Sequence, residues 1–235
     1  MKKIKVLLTV FAILIITLSL ITANKFLPSV ALILNNNPFV SSLLKYQLFA
    51  FLLAIGVTYI TIKISPDSKN ILTFGNLSVI AGKEKWLGIN GKKTWKSNSI
   101  QLLFFISIAT GIFMFLAVKY TNSLSNFNWA FIPIVLLISL TNSFSEEIIY
   151  RFAIHGNLIN NASKLTVLIL SAILFGLPHY LGFPSGIIGV VMAGLLGYIL
   201  SKATYETQGI GIAWTIHFVQ DIIIFTALFM MKLKS

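Results

Sequence analysis

Long apolar runs separated by short polar breaks set the pattern of this chain. They cover residues 6–23, 43–64, 99–118, 129–149, 165–180, 185–200 and 209–231. A helix needs roughly 20 apolar residues to cross the hydrocarbon core of a bilayer, and these runs are close to that length. Backbone polar groups in lipid must be satisfied within the segment, which a helix does and an isolated strand does not. The pattern therefore predicts an all-α, polytopic transmembrane bundle of about seven or eight spans. The first run follows a basic N-terminus and ends at Thr22-Ala23, an edge also compatible with signal-peptide cleavage. Its length and the spans that follow favour a retained first helix. Seven spans place Lys232 and Lys234 on the side opposite the N-terminus. An extra re-entrant segment within residues 26–34 would return them to the same side.

Residues 65–98 form the one long polar stretch, with Lys69, Lys83, Lys85, Lys92, Lys93 and Lys96 against Asp67 and Glu84. The positive-inside rule assigns this stretch and the N-terminus to the cytoplasm. Trp86, Leu87, Ile89 and Trp95 lie among those lysines, which reads as an interfacial anchor on anionic lipid. The chain so divides into N-terminal transmembrane helices (1–64), a lysine-rich cytoplasmic loop (65–98) and a core (99–235). Residues 150–161 are expected as a short interfacial continuation carrying His155. Residues 202–208 are expected as a polar loop. Gly182 and Gly186, spaced as GxxxG, are expected to bring two helices close.

Composition sharpens this. Only 10% of the 235 residues are charged, and the mean hydropathy is +0.89. The formal net charge is +12. The lysines cap spans or crowd one loop, so they fit lipid headgroups and not nucleic acid. There is no cysteine, which excludes disulfides, thiolate metal sites and a cysteine nucleophile. The acids are few: Asp67, Glu84, Glu146, Glu147, Glu206 and Asp221. A charge at the bilayer centre costs roughly 2.5–3.5 kcal/mol on insertion scales, so ionisable groups inside spans point to function.

Glu146 and Glu147 close the fourth run, and Arg151, the only arginine, follows one turn later. Glu147 and Arg151 are spaced i,i+4 with the acid first, the favoured order for an ion pair. Glu146 is turned about 100° away and is left to point elsewhere. His179 follows Pro178, which bends the end of the fifth run. His217 and Asp221 share one face of the last run. A carboxylate and two histidines on three helices are the parts needed to activate water and stabilise an oxyanion. No HExxH, GxSxG or intramembrane aspartate pair is present.

In order, Glu146-Glu147-Ile148-Ile149-Tyr150-Arg151 matches EExxxR, Phe175-Gly176-Leu177-Pro178-His179 matches FxxxH, and His217-Phe218-Val219-Gln220-Asp221 matches HxxxN/D. This ordered triple resembles the CAAX protease and bacteriocin-processing (CPBP) family of intramembrane proteases, over about residues 129–231. The resemblance implies a catalytic core in the last four spans. It implies Glu146 as general base, His179 as a water-binding partner, His217 and Asp221 at the oxyanion, and Glu147 with Arg151 as orienting residues. Many members carry Asn where this chain has Asp221. Metal-free and metal-dependent mechanisms have both been described for the family. A metal-free site is favoured here, and Glu146, His179 and His217 would be the ligands if zinc is bound. The expected function is cleavage of a membrane-associated peptide or protein in a bacterial cell membrane, as in bacteriocin or signal-peptide maturation or self-immunity. A non-catalytic scaffold or immunity protein of the same fold, and a proton-coupled transporter, are the rivals.

Overall fold

A computed structural model describes residues 2–26 and 37–232. Its helices are α1 (Lys2–Phe26), α2 (Pro38–Ile64), α3 (Trp95–Tyr120), α4 (Ile132–Glu147), α5 (Ala153–Leu158), α6 (Lys164–Gly176), α7 (Gly186–Thr207) and α8 (Gly211–Lys232). A π-helical turn, Ile148–Phe152, joins α4 to α5, and a 3₁₀ turn, Leu177–Leu181, extends α6. Counted as continuous stretches, seven helices among the described residues are long and apolar enough to cross a membrane. The chain is thus a polytopic helical bundle. The re-entrant segment expected within residues 26–34 falls, beyond Phe26, outside the described residues.

Local chemistry sets the helix ends. Asn37 accepts from the backbone N–H groups of Phe39 and Val40, and Pro38 opens α2 with its φ already fixed. Ser163 caps α6 by accepting from Thr166 N–H. Pro178, without an N–H to give, ends the α-helical ladder at Gly176 and leaves the tighter turn that carries His179.

In lipid, helices associate through close packing and interhelical hydrogen bonds. Here α8 lies against α3, α4 and α7, α6 packs along α7, and α1 and α2 cover the α4–α5 side. Small residues allow the α6–α7 contact. A Cβ on Gly176 would stand 2.7 Å from the Val190 carbonyl oxygen, and one on Gly197 would stand 3.2 Å from Ala172 Cα. The expected GxxxG contact is corrected by this. Gly182 caps the 3₁₀ turn, while Gly186 opens α7 at φ +73° with open space beside it. Side-chain bonds, buried or part-buried, then pin helix to helix: Thr17 to Tyr150 (2.9 Å), Gln47 to Asn142 (3.0 Å), Gln220 to Ser107 (3.0 Å) and Trp214 to Ser143 (3.1 Å). Outward faces carry exposed Phe11, Leu52, Phe104, Phe115 and Ile188, as lipid contact requires.

One end of the bundle gathers the N-terminus, residues 65–94 and the α7–α8 turn. Lys5 donates to Ser65, Ser65 donates to Asn157, and Asn76 N–H donates to the Thr207 carbonyl. The polar stretch is more ordered than an interfacial loop. Ile71, Ala81, Ile89 and Trp95 are buried. Trp95 is therefore a core residue and not an anchor, whereas Trp86 does stay exposed. Residues 202–207, expected as a loop, are the last turns of α7, with Lys202 buried against Glu206 (2.6 Å). Glu206 holds the stretch down: one oxygen accepts from Gly82 N–H (2.8 Å) and the Trp95 indole (2.9 Å), the other from Lys202 and Lys164.

Hydrogen bonds to a charged group are worth about 1.5–3 kcal/mol each. Glu206→Gln is expected to loosen this clasp and raise the population of locally opened chain at least about tenfold, an effect of ~1.4 kcal/mol. Limited digestion at the exposed Lys83, Lys85, Lys92 and Lys93 should accelerate accordingly, while digestion elsewhere stays unchanged.

Candidate active site

The π-helical turn is where the site begins. It widens the helix directly after Glu147 and is closed from outside, because Ser171 on α6 donates to the Tyr150 carbonyl (2.7 Å). Such turns often occur at functional sites. Here it leaves Glu147 and Arg151 paired, with Arg151 Nε 3.2 Å from Glu147 Oε2 and both side chains fully buried. None of the guanidinium N–H groups is aligned on an acceptor among the described residues. Its plane lies 4.0 Å from the centre of the Phe175 ring. That contact is a cation–π interaction, which strengthens when desolvated.

Glu147 reaches in two directions. Its Oε1 lies 2.8 Å from His217 Nδ1. An ionised carboxylate only accepts, so Nδ1 carries the proton and the ring is fixed with Nε2 outward. His217 Nε2 then lies 3.5 Å from Glu146 Oε2 and 3.6 Å from Asp221 Oδ1. The same two carboxylates share a second donor. Asn142 Nδ2 is 3.3 Å from Glu146 Oε1 and 3.0 Å from Asp221 Oδ2. Glu146 and Asp221 thus both face His217 Nε2 and share the Asn142 amide. Asn142 is itself held by Gln47, which in turn accepts from Thr141 (3.3 Å).

His179 approaches from the α6 turn. Its Nδ1 lies 2.8 Å from the Phe175 carbonyl. A carbonyl cannot donate, so Nδ1 holds the proton and Nε2 is left as an acceptor. Phe175 touches all three sequence motifs. Its ring covers Arg151 and meets the rings of His179 at 4.8 Å and His217 at 5.4 Å. Every residue singled out in the sequence, Glu146, Glu147, Arg151, His179, His217 and Asp221, therefore belongs to one neighbourhood. His155 does not. It is fully buried, bonded to Ser201 (2.8 Å) and packed on the edge of Tyr205, so its expected interfacial position is corrected.

Two cavities meet here. A groove of about 560 Å³ runs between α3 and α7 and reaches His179, His217 and Asp221. Its walls are mostly apolar and include Phe105, Ile106, Met192 and Leu196, with Trp86 at one end. A smaller chamber of about 240 Å³ lies on the other side, against α1 and α2, and is lined by Glu146 and His179. His179 borders both. Among the described residues, no three His, Asp or Glu side chains stand where they could share a metal ion. No step below passes through a metal ion.

Sequence reasoning missed Asn142, Gln47 and Ser171, which are uncharged and common in helices. Phe175 was visible only as a motif letter.

Residues 128–223 match the family model described as type II CAAX prenyl endopeptidase Rce1-like. The matched segment runs from just before α4 into α8 and contains all six residues singled out. No curated protein and no solved structure matches the chain. The ordered motifs converge inside that segment, and residues 128–223 are thereby similar to the CAAX protease and bacteriocin-processing family of intramembrane proteases.

Proposed function

We propose that the protein is an intramembrane endopeptidase that hydrolyses a peptide bond in a membrane-associated peptide or protein without a metal ion. One observation carries this reading: Glu146, His217 and Asp221 converge with His179 where an apolar groove ends. The groove takes an extended apolar segment and presents one carbonyl to the polar floor. Glu146 removes a proton from water, and the water oxygen bonds to the carbonyl carbon. His179 Nε2 accepts the second hydrogen and orients the attack. The oxyanion forms beside His217, whose ring is held by Glu147. Glu146 then returns its proton to the nitrogen, the C–N bond breaks, and an amine and an acid leave. The roles of Arg151 and Phe175 are to hold Glu147 and the two imidazoles in place.

Asp221 supports the reading through Asn142. The carboxylate accepts the amide at 3.0 Å, so an Asn at position 221 could accept the same bond with its carbonyl and aim its own N–H₂ at the oxyanion. Asp221→Asn is expected to keep at least about a tenth of the wild-type kcat, and Asp221→Leu to lose about 100-fold or more, within the span of single oxyanion-site donors. Steady-state cleavage of one peptide separates the two.

The lysine distribution supports an orientation with the N-terminus and residues 65–98 on the cytoplasmic side of a bacterial cell membrane, the exposed lysines meeting anionic lipid. Maturation of a bacteriocin or signal peptide, or self-immunity, is the process such cleavage would serve. The test uses purified protein in liposomes with a panel of membrane peptides, reading new termini by mass spectrometry and metal content in parallel. Cleavage with substoichiometric metal supports the proposal. No cleavage, together with proton-coupled flux or with full biological activity of Glu146→Gln, replaces it by a transporter or a scaffold. Stoichiometric zinc lost from His179→Ala overturns the metal-free mechanism.

A further inference from the structure

The matched segment ends short of α1 and α2, yet both helices reach the site. The smaller chamber is walled by Leu20 and Ile21 of α1, Tyr46 of α2, and Pro178 and Leu181 of the α6 turn, with Glu146 and His179 on its inner side. The two cavities divide the catalytic residues. Glu146 lines the chamber and not the groove, His217 and Asp221 line the groove and not the chamber, and only His179 lines both.

Tyr46 and Gln47 are neighbours in the chain and serve the two halves of this arrangement. Gln47 is buried and holds Asn142, which bridges Glu146 and Asp221. Tyr46 is half-buried, and its hydroxyl has no hydrogen-bond partner among the described residues. By contrast, the hydroxyl of Tyr150, which lines the same chamber, is bonded to Thr17 at 2.9 Å. The chamber therefore holds one free phenol on the same lining as the Glu146 carboxylate, whose Oε1 accepts from Asn142. A site of this size with Tyr46, Glu146, Tyr150 and His179 among its lining residues has the hydrogen-bonding groups that ordered water needs.

We propose that the smaller chamber stores the attacking water apart from the substrate groove, and that Tyr46 on α2 positions this water for Glu146. This rests on the hydrolytic reading given above. Water reaches Glu146 from the α1–α2 side while the peptide occupies the α3–α7 side, so a bound apolar substrate does not displace its own nucleophile. The first two helices are then part of the catalytic apparatus and not only a cover for it. Tyr46 touches the reacting water, Gln47 positions Asn142, and Leu20 and Ile21 of α1 line the chamber wall.

The test compares wild type with Tyr46→Phe, Ile21→Trp and Ile106→Trp in liposomes, using one cleaved peptide. Tyr46→Phe removes only a hydroxyl that no protein group uses, so its melting temperature should match wild type. Its kcat should fall about 10- to 100-fold with KM within about twofold, the signature of a group acting after substrate binding. Ile21→Trp fills the chamber and should lower kcat in the same way. Ile106→Trp intrudes on the groove and should raise KM instead. A stable Tyr46→Phe protein with wild-type kcat overturns the assignment of Tyr46, and a wild-type kcat for Ile21→Trp overturns the water chamber, both while leaving the protease reading intact. A wild-type protein that cleaves nothing overturns both.

Discussion

Glu146→Gln is expected to lower kcat about 1,000-fold, within the 10²–10⁴ range of a general base, while leaving the melting temperature and expression unchanged. The substitution keeps shape and volume. The new amide still accepts from Asn142 through its oxygen, which is the one hydrogen bond Glu146 makes among the described residues. Its Oε2 has no hydrogen-bond partner among the described residues and faces the His217 imidazole at 3.5 Å. The carboxylate thus contributes little to holding helices together. A loss of this size is ~4 kcal/mol of barrier. The adjacent glutamate should behave in the opposite way. Glu147 is fully buried, pairs with Arg151 and anchors His217, so Glu147→Gln should first reduce the amount of folded protein. Two neighbouring residues of one type then separate into an activity phenotype and a stability phenotype. Cleavage rate and thermal unfolding, measured on the same two preparations, check the split. Equal activity of Glu146→Gln and wild type would remove Glu146 from the mechanism.

This division was partly legible in the sequence, because a helix fixes angular relations over short spans. EExxxR places Glu147 over Arg151 and sends Glu146 to another face, and the structure shows that arrangement. The spans were legible for a related reason: lipid leaves the backbone no partner outside the helix, so each crossing needs its own apolar run. What was lost concerned helix phase and distant partners. The π-helical turn at Ile148–Phe152 adds a residue to one turn and shifts everything after it by about 100°. His155, read as interfacial for want of a partner in the sequence pattern, lies in the core against Ser201. Trp95 sits among lysines in the sequence, but its partner Glu206 comes from α7. Asn142 and Gln47 find each other across two helices. Neither is charged, and an uncharged amide in a span gives no sign of high cost. Phe175 was legible as a letter in a motif, and its role over Arg151 only as geometry.

Arg151→Met is expected to destabilise the protein by about 3–5 kcal/mol, the cost of leaving one partner of a buried ion pair uncompensated. Glu147, fully buried, would keep only His217 as a partner among the described residues. Met fills much of the space over Phe175 but supplies no charge. Folded protein in the membrane fraction should therefore drop sharply, and the remainder should unfold at lower temperature. The double variant Glu147→Gln/Arg151→Met removes both charges together. Replacing a whole buried pair by neutral groups of similar size is often neutral or stabilising, so it should recover most of the lost stability. It should not recover activity. The Gln amide can still meet His217 Nδ1 through its oxygen, but it lacks the charge that fixes the ring and supports a developing imidazolium. Stability and cleavage should then separate within one protein: restored unfolding temperature, with kcat still about 100-fold down. If the double variant stays as unstable as Arg151→Met, the Phe175–Arg151 contact at 4.0 Å holds the π-helical turn independently of Glu147. If it regains full activity, the pair serves folding alone, and His217 needs no carboxylate behind it.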